Sequence, residues 1–169
     1  QLLNAGACEI EQQLPIYTQT TEFLDGTIHD GLPTLHPFGP RQTLVQEVDI
    51  VRLDDTLGDI ARIDVIKIDV EGHEYAALLG ARSLLARGML RNIIFEDHDV
   101  DNSKVIGLLS DYGYKIFSIG WDLNSLFLKP LGVPNKSLVS DAPNYIATLD
   151  VRNLESAVGT VGWNVLNSC

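Results

Sequence analysis

Cysteine is nearly absent from this sequence, and the two that occur, Cys8 and Cys169, sit at opposite ends without metal-type spacing. Neither a zinc site nor a disulfide framework is indicated. Basic residues are scarce too: 12 Lys and Arg stand against 23 Asp and Glu, a net charge of −11. So acidic a surface repels phosphate backbones and anionic lipid, which argues against nucleic-acid and membrane partners and leaves small molecules or proteins. No apolar run approaches the roughly 18 residues of a membrane-spanning helix, and no signal-peptide pattern opens the chain. The compartment stays open, with the cytoplasm slightly favoured. The glycine-rich G-x-G-x-x-G turn is also missing, since Gly159 and Gly162 in VGTVG lack the strand and acidic partner that such a turn requires. What is plentiful is hydrophobic sequence, 45% of 169 residues, enough to fill the core of one domain.

The most informative stretch is IDVIKIDVEGHE at residues 63–74. Ile63, Val65, Ile66 and Ile68 form a β-branched run of the kind buried in a parallel sheet, and Gly72 breaks it before a helical pattern starts at His73. Lys67 and Asp69 share a strand face, and Glu71 follows just past the strand end. In open α/β sheets ligands bind at that carboxyl edge. RNIIFE at 91–96 reads as a second buried strand, and a parallel pairing would carry Glu96, Asp97 and His98 to the same edge. The two acidic turns would then face one another.

LDDTL at 53–57, IDVIKIDVEGHE at 63–74, ALLGA at 77–81 and NIIFE at 92–96, in this order and spacing, resemble the FkbM family of S-adenosylmethionine-dependent methyltransferases. The likeness runs weakly from residue 1 to about residue 150, leaving 151–169 as a tail of unknown role. The resemblance implies an α/β, class I methyltransferase (Rossmann-like) three-layer sandwich with a mostly parallel sheet and an antiparallel last strand. It implies methyl transfer from S-adenosylmethionine, usually to a hydroxyl of a sugar or natural product. In that plan QLLNAGA, at the start, is the end of a buried third strand running into a turn. The chain is then the carboxyl-terminal part of the domain, without the units that carry the glycine-rich turn and the ribose carboxylate. Asn4 falls where many such enzymes meet the adenine edge; the plainer reading is an Asn favoured by a turn.

Along the rest of the chain, residues 14–17 suggest a strand that Pro15 pushes toward an edge. Residues 18–43, with Pro33, Pro37 and Pro40, read as a long loop, either a lid over the strand edge or a surface excursion. Its His29 and His36 are loop histidines on which no chemistry is placed. Residues 48–53 alternate as a strand, and Asp54 with Asp55 caps a short helix through residue 60. A single helix is expected from His73 to Arg87, ended by Gly88, and another after a cap at Asn102 or Ser103, closed by Gly113. YKIFSI at 114–119 and NYIATL at 144–149 are the last strands, joined by a loop, with no room for a crossover helix, so that the final strand returns antiparallel.

Methyl transfer to a hydroxyl is an in-line displacement that needs alignment and a base. Glu71, His73 and Glu96 are the base candidates, His73 standing where the family often has a small residue. Asp69 joins Asn4 as a cofactor candidate, and Lys67 and His98 are orienting candidates. The plainer readings are a helix cap for Glu71, an ion pair for Lys67 and a solvated turn for His98. Two alternatives carry different functions. Asp69, Glu71, Glu96 and Asp97 could hold a divalent cation in a hydrolase or transferase. A truncated domain could instead serve as a non-catalytic assembly module, a homo-oligomer or a partner covering the open edge at residues 1–4.

Overall fold

The structure, a computed structural model, describes residues 3–22, 28–30, 42–70, 72–121, 126–133 and 144–160. Contacts along the chain gather into two units, residues 1–59 with 70–82, and residues 60–69 with 83–169.

In the first unit four strands form one sheet in the order β1-β4-β2-β3, where β1 is Ala5–Ala7, β2 Gln12–Glu22, β3 Ile28–Asp30 and β4 Gln42–Val51. β1 lies parallel to β4, and β2 lies antiparallel to both β4 and β3. Period-two alternation builds β4, with Val48 and Ile50 buried and Glu47 and Asp49 exposed. Pro15 faces Glu47 in β4, while β3 joins β2 only at Thr20–Glu22, so its missing donor falls where β2 has a single partner. The expected loop at 18–43 is therefore corrected at both ends and at 28–30, His29 included, because residues 18 and 19 pair with β4 and residues 20–22 pair with β3. Its residues 31–41, His36 and the three prolines included, lie outside the described residues. The expected buried strand ending before Asn4 is also corrected: Leu3 is exposed, and the strand begins after Asn4, at Ala5. Gly6 leaves room for the Ile50 side chain over β1, since a Cβ there would sit 2.7 Å from Ile50 Cδ1.

Helix α1, Leu53–Leu57, takes Arg52 as its N-cap, so Asp54 and Asp55 lie inside the first turn, not at the cap. Their charges still suit the positive end of the helix dipole. The single helix expected at 73–87 is two, α2 at Glu74–Leu79 and α3 at Arg82–Ala86. The break is at Gly80, where a Cβ would meet the Cys8 carbonyl oxygen at 2.1 Å and where the Asp54 N–H donates to the Gly80 carbonyl at 2.8 Å. Close backbone packing at this point competes with helix continuation, and only glycine permits it.

The second unit holds a five-stranded sheet in the order β5-β6-β9-β7-β8, with β5 at Ile66–Ile68, β6 at Asn92–Glu96, β7 at Lys115–Trp121, β8 at Leu126–Pro130 and β9 at Asn144–Thr148. β5 and β6 are parallel, and β9 runs antiparallel to both β6 and β7, as expected of the last strand. By pairing, antiparallel contacts outnumber parallel ones among the described residues, which corrects the expectation of a mostly parallel sheet. β8 forms a hairpin with β7 in a segment read as loop. Val65 is 56% exposed instead of buried, because β5 ends the sheet and the run shortens to three residues beyond an isolated bridge of Ile63 to Leu90.

Ile68, Leu84, Leu85, Leu90, Ile93, Phe95, Leu109 and Ala147 are the buried core, with Phe95 stacked on Tyr145 at 5.7 Å between ring centroids. Helix α4, Lys104–Asp111, starts as expected at Ser103 and buries Val105, Ile106 and Leu109. Gly88 and Gly113 follow α3 and α4 with φ of 62° and 86°, as helix-ending glycines do. The tail contributes helix α5, Val151–Thr160, whose first turn is closed by the Asn153 N–H donating to Asp150 Oδ1 at 3.1 Å.

Candidate functional site

The in-register pairing of β5 and β6 determines what reaches the sheet edge. Ile66 pairs with Ile93 and Ile68 with Phe95, so one face of the two strands is apolar, half-buried at Ile66 and buried at Ile68, Ile93 and Phe95. The alternate positions, Lys67 on β5 and Ile94 with Glu96 on β6, take the opposite face, and Asp69 follows Ile68 directly. Glu96 is the last residue of β6, paired with Asn144 of β9. The expected parallel neighbour is thus present, and it brings Lys67, Asp69, Glu96 and His98 into one region of the second unit.

Electrostatics link these groups. Lys67 Nζ donates to Asp69 Oδ2 at 2.5 Å. The bond and charge of Asp69, with a smaller contribution from Glu96, raise the Lys67 pKa and keep the amine protonated. His98 Nε2 lies 3.6 Å from Glu96 Oε1, on a largely exposed side chain. The pairs are solvated, so their value is orientation more than stability. Glu96 is the least exposed charged side chain of the four, at 30%.

Asp97 plays a different part. Ser103 Oγ donates to its Oδ2 at 2.5 Å and the Asp99 N–H donates to its Oδ1 at 2.9 Å, while the Ile106 N–H donates to Ser103 Oγ at 2.9 Å. Both carboxylate oxygens serve the turn that joins β6 to α4. That turn holds Glu96 and His98 at the edge.

Gly72 has φ of 89°, a conformation that side chains rarely adopt, and Glu74, buried at the start of α2, accepts from the N–H groups of Val70 and Gly72. His73 occupies the N-cap position of α2, and its carbonyl accepts from the Ala77 N–H at 2.9 Å, so its backbone works for the helix. His73 and Asn4 belong to the first unit, and Asn4 precedes β1 on an exposed position. Glu71 lies outside the described residues. Reading by residue type missed Glu74 and Asn144. Glu74 stands four residues after Val70, within reach of the turn behind it, and Asn144 reaches Glu96 through an antiparallel register that only tertiary pairing reveals. Among the described residues, no group of three or more His, Cys, Asp or Glu is gathered as a metal site. Nor is any described helix long and apolar enough to cross a membrane.

No curated protein and no solved structure matches the chain. A family described as the methyltransferase FkbM domain matches residues 10–116, more than half of the sequence and a span that contains both acidic turns. The chain belongs to the FkbM methyltransferase domain family.

Proposed function

We propose that this chain transfers a methyl group from S-adenosylmethionine to a hydroxyl oxygen of a small-molecule acceptor such as a sugar or natural product. The observation that carries the reading is the parallel, in-register pairing of β5 and β6, which sets Asp69 and Glu96 at one sheet edge beside Lys67. The placement of β9, antiparallel between β6 and β7, supports a class I methyltransferase plan for the second unit.

The donor set fits the cofactor's charge. Solvated carboxylates suit a cationic sulfonium and amino group, and we assign Asp69 to that contact. When bound, S-adenosylmethionine supplies an electrophilic methyl group. Lys67 holds the Asp69 carboxylate in one orientation through the 2.5 Å bond. Glu96 takes the proton from the acceptor hydroxyl, and His98, beside it, orients the acceptor or relays that proton to solvent. The tie between Asp97 and Ser103 keeps this pair in place.

Label transfer tests the proposal. With a methyl-tritiated donor and a panel of sugar, polyketide, lipid and peptide hydroxyls, label should enter at least one acceptor class. Glu96→Gln should slow that transfer by about 100-fold or more. Transfer by Glu96→Gln at the wild-type rate would remove Glu96 as the base.

A further inference from the structure

We propose that Asn144 sets acceptor specificity: its carboxamide holds a second hydroxyl of the acceptor, next to the one that is methylated. The acceptor this fits is a sugar with neighbouring hydroxyls, not an isolated alcohol. The inference rests on the reading above and concerns a residue to which that reading gives no part.

β5, β6 and β9 are neighbours in the sheet of the second unit. β6 and β9 are antiparallel, and Glu96 lies opposite Asn144. Residues so opposed project from the same face of a sheet, with Cβ atoms about 4.5–5.5 Å apart. On the other side of β6, Lys67 pairs with Ile94 and Ile68 with Phe95, so the next step of that register sets Asp69 level with Glu96. The Lys67 amine, bonded to Asp69 and within the field of Glu96, links those two carboxylates. Asp69, Glu96 and Asn144 therefore form one row across the edge, on strands about 4.8 Å apart.

The order of the row gives each group its part. Asp69, at one end, is assigned to the cationic donor, and Glu96, in the middle, takes the proton. In-line transfer places the acceptor beyond the methyl group, away from the donor, and Asn144 is the member of the row on that side of Glu96. A carboxamide offers both an N–H donor and an acceptor oxygen, the complement of a hydroxyl, which donates and accepts at once. Glu96 and Asn144 are both partly exposed, so a ligand can reach them. A base and a carboxamide one strand apart suit two hydroxyls on adjacent carbons, one reacting and one held.

The experiment is label transfer from methyl-tritiated S-adenosylmethionine to methyl hexosides, their monodeoxy analogues and cyclohexanol. The 169-residue chain and Asn144→Ala are compared, with S-adenosylhomocysteine titrated into each by calorimetry. In the wild-type chain, removal of a hydroxyl beside the methylated one should lower kcat/KM by about tenfold or more. Asn144→Ala should lose about that factor on the intact hexoside, chiefly in KM, and stay within about threefold of wild type on the deoxy analogue. Its affinity for S-adenosylhomocysteine should match wild type, a pattern that a general defect in the pairing of β6 and β9 would not give. A wild-type chain that labels a hexoside and its deoxy analogues equally well overturns the proposal without any variant, even if Asn144→Ala does not fold. An Asn144→Ala chain that discriminates between the two as wild type does, or that binds S-adenosylhomocysteine more weakly, overturns it as well. Label that enters cyclohexanol alone overturns the role of Asn144 and leaves methyl transfer standing. Label that enters no acceptor overturns the methyl-transfer reading itself, and the role of Asn144 falls with it.

Discussion

The turn from β6 to α4 rests on a single hydroxyl used twice. Ser103 Oγ accepts from the Ile106 N–H and donates to Asp97 Oδ2, so Ser103→Ala removes both the N-cap of α4 and one support of a carboxylate. Loss of a serine cap costs about 1 kcal/mol. Loss of a hydrogen bond to a charged group adds about 1.5 kcal/mol more, so Ser103→Ala should lower stability by about 2–3 kcal/mol. Asp97→Asn keeps one acceptor oxygen and surrenders the other, at about 1–2 kcal/mol. Because the Asp97–Ser103 bond is lost in each single variant and only once in the double, the pair should couple by about 1 kcal/mol. Urea denaturation measures all four chains, and equal slopes across them would show that the native state alone has changed. A second readout is local: burial first, and then the charge of Asp97, raise the Tyr145 pKa, so Asp97→Asn should bring the Tyr145 ionisation down. A cost for Ser103→Ala below about 0.5 kcal/mol, or effects that add to within about 0.3 kcal/mol, would refute this account of the turn.

Three further perturbations probe the frame that carries the site. Gly80→Ala puts a Cβ 2.1 Å from the Cys8 carbonyl, a backbone clash, and should destabilise the chain by about 2 kcal/mol or more in thermal unfolding, whereas relief at an ordinary helix glycine would stabilise it. Phe95→Ala empties a fully buried site stacked on Tyr145 and should cost about 3–5 kcal/mol by denaturant titration. Tyr114 donates to the Leu90 carbonyl at 2.5 Å, and burial pushes its pKa from 10.0 up to about 12. A folded pKa above the unfolded one means a contribution present below pH 10 and lost as pH rises toward 12. Stability measured across that window should fall in the wild-type chain and lose this component of the slope in Tyr114→Phe.

Where local chemistry and tertiary pairing agreed, the sequence was readable. NIIFE, YKIFSI and NYIATL are β-branched and aromatic runs between turn residues, and they form β6, β7 and β9 almost where expected. Ser103, Gly88 and Gly113 work through their own backbones and neighbours, so their helix boundaries were visible as well. Elements that depend on a distant partner were not. Residues 18–22, 42 and 43 are polar and read as loop, yet pairing of β2 with β4 and, at 20–22, with β3 makes them strand. LFLKP, β8, is disguised by the Asn, Ser and Pro around it and exists because β7 offers an edge. Gly80 lies inside a strong helical pattern, and only the approach of Cys8 explains why the helix stops there. α5 carries a weak apolar stripe of Val151, Leu154 and Val158 in a segment read as an uninformative tail. At the site, the meeting of Asp69 with Glu96 followed from parallel strands, a regular feature. The bonds of Glu74 to the amides of Val70 and Gly72 fit its spacing, yet residue type alone did not single it out.

The central claim is that the carboxyl edge of β5 and β6 receives the methyl donor. Calorimetric titration of S-adenosylmethionine and S-adenosylhomocysteine into the wild-type chain, Asp69→Asn and Asp97→Asn tests it most directly. The account predicts saturable binding to the wild-type chain, a loss of about tenfold or more in Asp69→Asn, and a smaller loss in Asp97→Asn, whose carboxylate serves the turn. Equal affinity in all three would contradict it.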